Sequence, residues 1–156
     1  MDFNKFKNMY AELMMNYQAI EHDIKFIYYF MIDDQDENNE IWEEIRLYSL
    51  RKAIEKLREL DNSDDKPVLT DASYNLLMKL NGHRNHWAHE TFQSFMYEDD
   101  FINSNEYHQE CKKLKRDHDS LEGIYKQLEK IRVDYCTSVV EYYEENEGSV
   151  KNFGEK

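Results

Sequence analysis

At 156 residues, with 40 % apolar and 34 % charged side chains, the chain has the length of one domain, is too apolar to be disordered and too interrupted by charge to cross a bilayer. Four glycines and a single proline, Pro67, exclude the folds built on many tight turns, namely sandwiches, barrels and open α/β sheets, and leave long helices with few connections. The formal charge of −13, from 20 basic and 33 acidic side chains, repels phosphate on average, so a nucleic-acid site has to be a local exception.

Phe3, Phe6, Tyr10, Leu13, Tyr17, Ile20, Ile24, Ile27 and Met31 follow one another in steps of three and four, which predicts an amphipathic helix to about Ile32. The stretch DDQDENNE has no apolar period and reads as a loop whose acids suit the N-terminal end of the next helix. Ile41, Ile45, Leu47, Leu50, Ile54, Leu57 and Leu60 mark that second helix, with Arg46, Arg51, Lys52, Lys56 and Arg58 as a basic exposed side, and DNSDDKP ends it. A third helix is expected from Thr70 or Asp71 through YNLLMKLNGHRNHWAHETFQSFMY. Gly82 inside it costs about 1 kcal/mol relative to Ala and implies close packing or a kink. After YEDDFINSN, a last helix of about forty residues carries Tyr107, Leu114, Leu121, Leu128, Tyr135 and Tyr142 at a spacing of seven, interrupted by Asp117.

These elements give one all-α domain over residues 1–156, an up-and-down four-helix bundle with residues 147–156 as a flexible tail. Cys111 and Cys136 would lie about 37 Å apart on the last helix and are expected as reduced thiols. The start, MDFNKFKNMYAELMM, lacks the apolar run of a secretory signal, and a cytoplasmic location with no membrane association is the expectation.

Three of the six histidines fall within GHRNHWAHE, as His83, His86 and His89. At 100° per residue, Asn85, His86 and His89 can share a helix face, and Arg84, about 140° from His89, could reach toward it if Gly82 loosens the turn. A permanent cation, an amide and imidazoles in one patch suit RNA cleavage. That reaction needs a base for the 2′-hydroxyl, an acid for the leaving oxygen and positive charge at the transition state. Imidazole can serve as acid or base near neutral pH. Guanidinium grips two phosphoryl oxygens in a fork. One Arg and one His are few for this work, and a two-fold homodimer would supply two of each.

Arg84-Asn85-His86-Trp87-Ala88-His89 resembles the R-x4-6-H motif of HEPN domains, in the form with Asn directly after Arg. The resemblance implies a small helical bundle acting as a metal-independent endoribonuclease, of toxin–antitoxin or abortive-infection type, with its cleft assembled by dimerisation. It implies Arg84 and His89 as the catalytic pair, Asn85 as an auxiliary, RNA as substrate, no cofactor, and an antitoxin protein as a further partner. His86 is not fixed by the motif and joins the auxiliary residues by position alone. One class of HEPN toxin has, two residues after the motif His, a Tyr that is modified to silence it; this chain has Thr91 there.

Other readings stand beside this one. His83 and His86 read as solvated helix residues near the site, and Trp87 as core or dimer packing. A metal centre on His83, His86 and His89 is disfavoured, because successive steps of three spread the rings over about 120°. The helix-borne H-E-x-x-H and E-x-x-H patterns are absent. A catalytically silent HEPN-like module holding nucleotide or RNA, or an acidic antitoxin-like partner protein that covers a basic surface, are the alternatives to the nuclease.

Overall fold

The computed structural model describes residues 1–32 and 40–151, with side chains described to residue 138. Among these residues the chain is all-helical: α1 (Phe3–Met31), α2 (Glu40–Ile45), α3 (Leu50–Asp61), α4 (Asp71–His89), a short 3₁₀ helix (Phe101–Asn103) and α5 (Asn105–Lys151). Most of the expected acidic loop, residues 33–39, and the last five residues lie outside the described part.

Asp2 starts α1 by accepting a hydrogen bond from the Lys5 backbone N–H at 2.9 Å, which satisfies one of the first-turn donors. The three-four seam then buries Phe6, Leu13, Tyr17, Ile20, Ile24 and Ile27 as its spacing predicts. Two tyrosine hydroxyls tie α1 to α4, Tyr10 donating to the Trp87 carbonyl and Tyr17 to the Leu80 carbonyl, each at 2.8 Å.

The expected second helix is two helices. The step from Ile45 to Leu47 is two residues, which no helical face can accommodate, and Ser49 accepts from the Lys52 N–H to start α3 afresh. Leu47, counted in the seam, is 76 % exposed. The described residues thus hold five α-helices where four were expected. At the end of α3 the buried Asp61 carboxylate accepts from the backbone of Val68 and Leu69 at 2.7 and 3.0 Å and from the Tyr74 hydroxyl at 2.8 Å, fastening the Pro67 turn to α4.

Thr70 caps α4, accepting from the Ser73 N–H, but the helix ends at His89 rather than running on to Tyr97. The Thr91 hydroxyl donates to the carbonyls of His86 and Trp87, both at 3.2 Å, and so takes carbonyls that a continuing helix would bond. The apolar residues beyond it serve the core from a turn: Phe95 packs edge-on against Phe6 and Tyr107, with ring centres 5.7 and 5.2 Å apart.

Tyr107, Leu114, Leu121 and Leu128 of α5 are all buried, as their heptad spacing requires. With 47 residues against 29 in α1, α5 is roughly 70 Å long against 44 Å, and it stays helical to Lys151, through the start of the expected tail. Buried side chains of α1, α3, α4 and α5 form one contiguous cluster, with α1 in contact with every other α-helix. Cys111 and Cys136 are free thiols on α5. No helix among the described residues is long and apolar enough to cross a membrane.

Candidate functional site

Tyr74, Leu77, Leu80 and Trp87 turn one side of α4 into the core, so the opposite stripe, Lys79, Gly82, Asn85, Ala88 and His89, is open to solvent. Asn85 and His89 stand together on this stripe, one helical turn apart. Neither side chain has a hydrogen-bond or ion-pair partner among the described residues. Gly82 lies on the same stripe, and a methyl group there would meet nothing within 4 Å. Among the described residues the expected close packing at Gly82 is absent, and α4 is assigned as one helix through it.

Arg84 points elsewhere. Its Nη1 lies 3.1 Å from Glu21 Oε2 on α1, and the side chain is about one-third exposed. Glu21 Oε1 also takes Lys25 Nζ at 2.8 Å, so one carboxylate holds two cations; Lys25 donates in addition to the Arg46 carbonyl at 3.0 Å. A single chain therefore presents Asn85 with His89 and keeps Arg84 round the helix from both.

His86 and His83 are not the solvated side chains that their positions suggested. The His86 ring turns to α5, with Nε2 2.8 Å from Glu110 Oε2 and Nδ1 3.3 Å from Glu90 Oε2; it can donate to both carboxylates only as the imidazolium. His83 Nδ1 lies 2.9 Å from Asp117 Oδ2, the atom that also accepts from the Trp87 indole N–H at 3.0 Å. Arg116 reaches Asp117 Oδ1 at 3.0 Å. The carboxylate that interrupts the α5 seam is thus buried and shared by three donors, and Trp87 is a core residue, 1 % exposed. Burial first, and then the negative charge of Asp117, push the Tyr17 hydroxyl well above the ordinary tyrosine range, with Arg84 acting the other way.

The three clustered imidazoles diverge, one to Asp117, one to Glu110 and one to solvent. Among the described residues no group of three or more His, Cys, Asp or Glu could hold a metal ion. Thr91, at the position where that HEPN class has its modified Tyr, is 1 % exposed and its hydroxyl is engaged at the end of α4. The basic side expected for the second helix is largely matched by neighbouring acids, Arg46 by Glu43, Arg51 by Glu55, Lys56 by Glu59 and Arg58 by Asp71, and on α5 Lys115 is matched by Asp119.

Sequence reasoning missed the carboxylates that set these orientations. Asp117 had a signal, a charge at a seam position, whereas nothing distinguishes Glu21 and Glu110 among 33 acidic residues. Compared with family models, with curated proteins and with solved structures, the chain matches none.

Proposed function

We propose that the chain is a metal-independent endoribonuclease of HEPN type, a cytoplasmic toxin or abortive-infection component, whose cleft forms between the α4 helices of two copies. On this reading α1, α3, α4 and α5 are the four helices of the HEPN-like bundle. The observation that carries it is the unpartnered Asn85–His89 pair on an open helix face, adjoining Arg84 in the sequence RNHWAH. Polar side chains left without partners beside a small-residue stripe suit a surface that is completed by something outside the chain.

The chemistry needs two copies. One His89 takes the proton of the 2′-hydroxyl as O2′ bonds to phosphorus, and the His89 of the second copy gives a proton to O5′ as the P–O5′ bond breaks. The products are a 2′,3′-cyclic phosphate and a free 5′-hydroxyl. Arg84 neutralises the pentacovalent transition state through its two-pronged guanidinium, for which it must exchange Glu21 for phosphate. Asn85, one residue on, orients the phosphate or the partner imidazole.

Bulk RNA incubated with the protein in excess EDTA tests this. Cleavage with cyclic-phosphate ends is expected, DNA should be inert, and His89→Ala and Arg84→Ala should each lower the single-turnover rate by about 10²–10⁴ with helical content unchanged. Arg84→Lys should be severely impaired as well, because a point charge does not replace the fork. Dependence on added metal, or full activity in both alanine variants, rejects the assignment.

The Glu21–Arg84 ion pair favours a second reading, a catalytically silent module that holds RNA. Binding of RNA with no turnover by any preparation would establish it.

A further inference from the structure

Beside α4, on the other side of Arg84 from the open stripe, a solvent-open cleft of about 340 Å³ lies between α1 and the Trp42–Arg46 segment. Glu21, His22, Lys25, Trp42, Arg46 and Arg84 line it. Three permanent cations among these six residues are unusual in a chain of net charge −13. Among the described residues Glu21 lies between two of them, at 2.8 Å from Lys25 and 3.1 Å from Arg84, and the third, Arg46, pairs with Glu43. Two aromatic rings, those of His22 and Trp42, line the cleft among these charges. The Trp42 indole is half-buried and edge-on to the His22 ring, with centroids 6.4 Å apart, and His22 stacks in turn on Phe26. Trp42 also packs edge-on against Tyr29 and Phe26 lies against Phe30, with centroids 5.6 and 4.4 Å apart, and neither Trp42 nor Phe26 belongs to the core cluster.

A cleft near the lower end of the range for small-ligand sites, roughly 300–1,000 Å³, has room for one nucleotide. Guanidinium forks suit its phosphate and the indole face suits its base. Arg84 belongs to this cleft, and the next residue, Asn85, opens onto the outer stripe of α4. A strand whose phosphate sits on Arg84 therefore has one neighbouring nucleotide at the cleft and the other directed toward Asn85 and His89. We infer that the α1–α2 cleft is the subsite for the nucleotide flanking the cleaved phosphate, that it takes single-stranded RNA with one base unstacked onto Trp42, and that Glu21 occupies the phosphate position until RNA displaces it. This rests on the nuclease reading for its biological use, but the binding it requires is separable from turnover. A paired base has to break its pairing and stacking to reach Trp42, which costs free energy, so single-stranded RNA is favoured over duplex as ligand.

The probe is a fluorescein-labelled ten-nucleotide oligouridylate carrying 2′-O-methyl groups, which the proposed chemistry cannot cut, read by anisotropy. Wild type should bind it, and an unlabelled duplex of equal length should compete poorly. Trp42→Ala should weaken binding about 5- to 100-fold, as loss of one base–aromatic stack does. Arg46→Ala, whose side chain is exposed and, among the described residues, pairs with Glu43 three positions before it, should weaken it without endangering the fold. Glu21→Gln should tighten it several-fold, because the amide still accepts from Lys25 but no longer competes as an anion. Failure of wild type to bind the probe overturns the proposal, as does unchanged binding in both Trp42→Ala and Arg46→Ala, or competition by uridine monophosphate as effective as that by the oligomer. The two readings fail differently. If unmodified RNA is never cut while the methylated probe binds with the Trp42 and Arg46 dependence, the cleft stands and the nuclease falls. If RNA is cut in EDTA at the wild-type rate by both cleft variants, the nuclease stands and the cleft falls.

Discussion

Asp117 sits where the α5 seam calls for a leucine, and burial of a carboxylate is tolerable only when donors surround it. His83, Trp87 and Arg116 supply them, two from α4 and one from the preceding residue of α5. Asp117→Ala leaves the buried Trp87 N–H without an acceptor and should destabilise the fold by about 2–3 kcal/mol, a fall of roughly 5–10 °C in thermal midpoint. Asn85→Ala, on the open stripe, should stay within about 0.5 kcal/mol. Urea denaturation of both variants checks the contrast, and equal effects would mean that the Asp117 network carries no more stability than a surface amide. The sequence shows that position 117 breaks the apolar period. It does not show which residues of α4 answer the charge, because those two donors lie 30 and 34 positions away and nothing periodic connects them. The same distance in sequence hid Glu21 from Arg84 and Glu110 from His86, so the residue types of the candidate site were legible and their directions were not.

Helix interiors follow the apolar period closely, and helix ends follow single hydroxyls. Phe6 to Ile27 in α1 and Tyr107 to Leu128 in α5 are buried in the register that steps of three, four and seven predict. Ser49 and Thr91, by contrast, start α3 and finish α4 through hydrogen bonds that composition does not reveal, which is why one expected helix divides and another stops eight residues early. Two substitutions on α4 should then act with opposite sign. Thr91→Val keeps the shape and removes the hydroxyl bonded to His86 and Trp87, and should cost about 1 kcal/mol. Gly82→Ala meets no neighbour and adds helix propensity, and should stabilise the isolated chain by about 0.5–1 kcal/mol. Thermal melts at low protein concentration measure both; a destabilised Gly82→Ala would mean that the α4 stripe is already covered within one chain.

At the scale of the whole molecule, the all-helical class was readable from the scarcity of Gly and Pro, since few turns leave few architectures. Assembly is governed by a conflict between net charge and the local surface. Each copy carries −13, so two copies repel at long range, while the stripe proposed to join them, Lys79, Gly82, Asn85, Ala88 and His89, bears a permanent charge at Lys79 alone. Salt shortens the reach of the repulsion, from roughly 10 Å at 0.1 M to 3 Å at 1 M, and leaves contacts between uncharged groups largely intact. Self-association should therefore strengthen as salt is raised. RNA binding through Lys25, Arg46 and Arg84 should weaken over the same range, because phosphate contacts release counterions and their affinity falls with salt. Light scattering should show the mass rising toward twice 19.1 kDa with added salt, and oligouridylate anisotropy should fall. Ala88→Arg places a charge and a long side chain on the stripe without disturbing the core, as Ala88 is exposed, and should hold the protein monomeric at every salt concentration with an unchanged melting midpoint. A dimer that dissociates on adding salt, or one that Ala88→Arg leaves intact, would place the interface on a charged surface away from α4 and remove the basis for a composite His89 site.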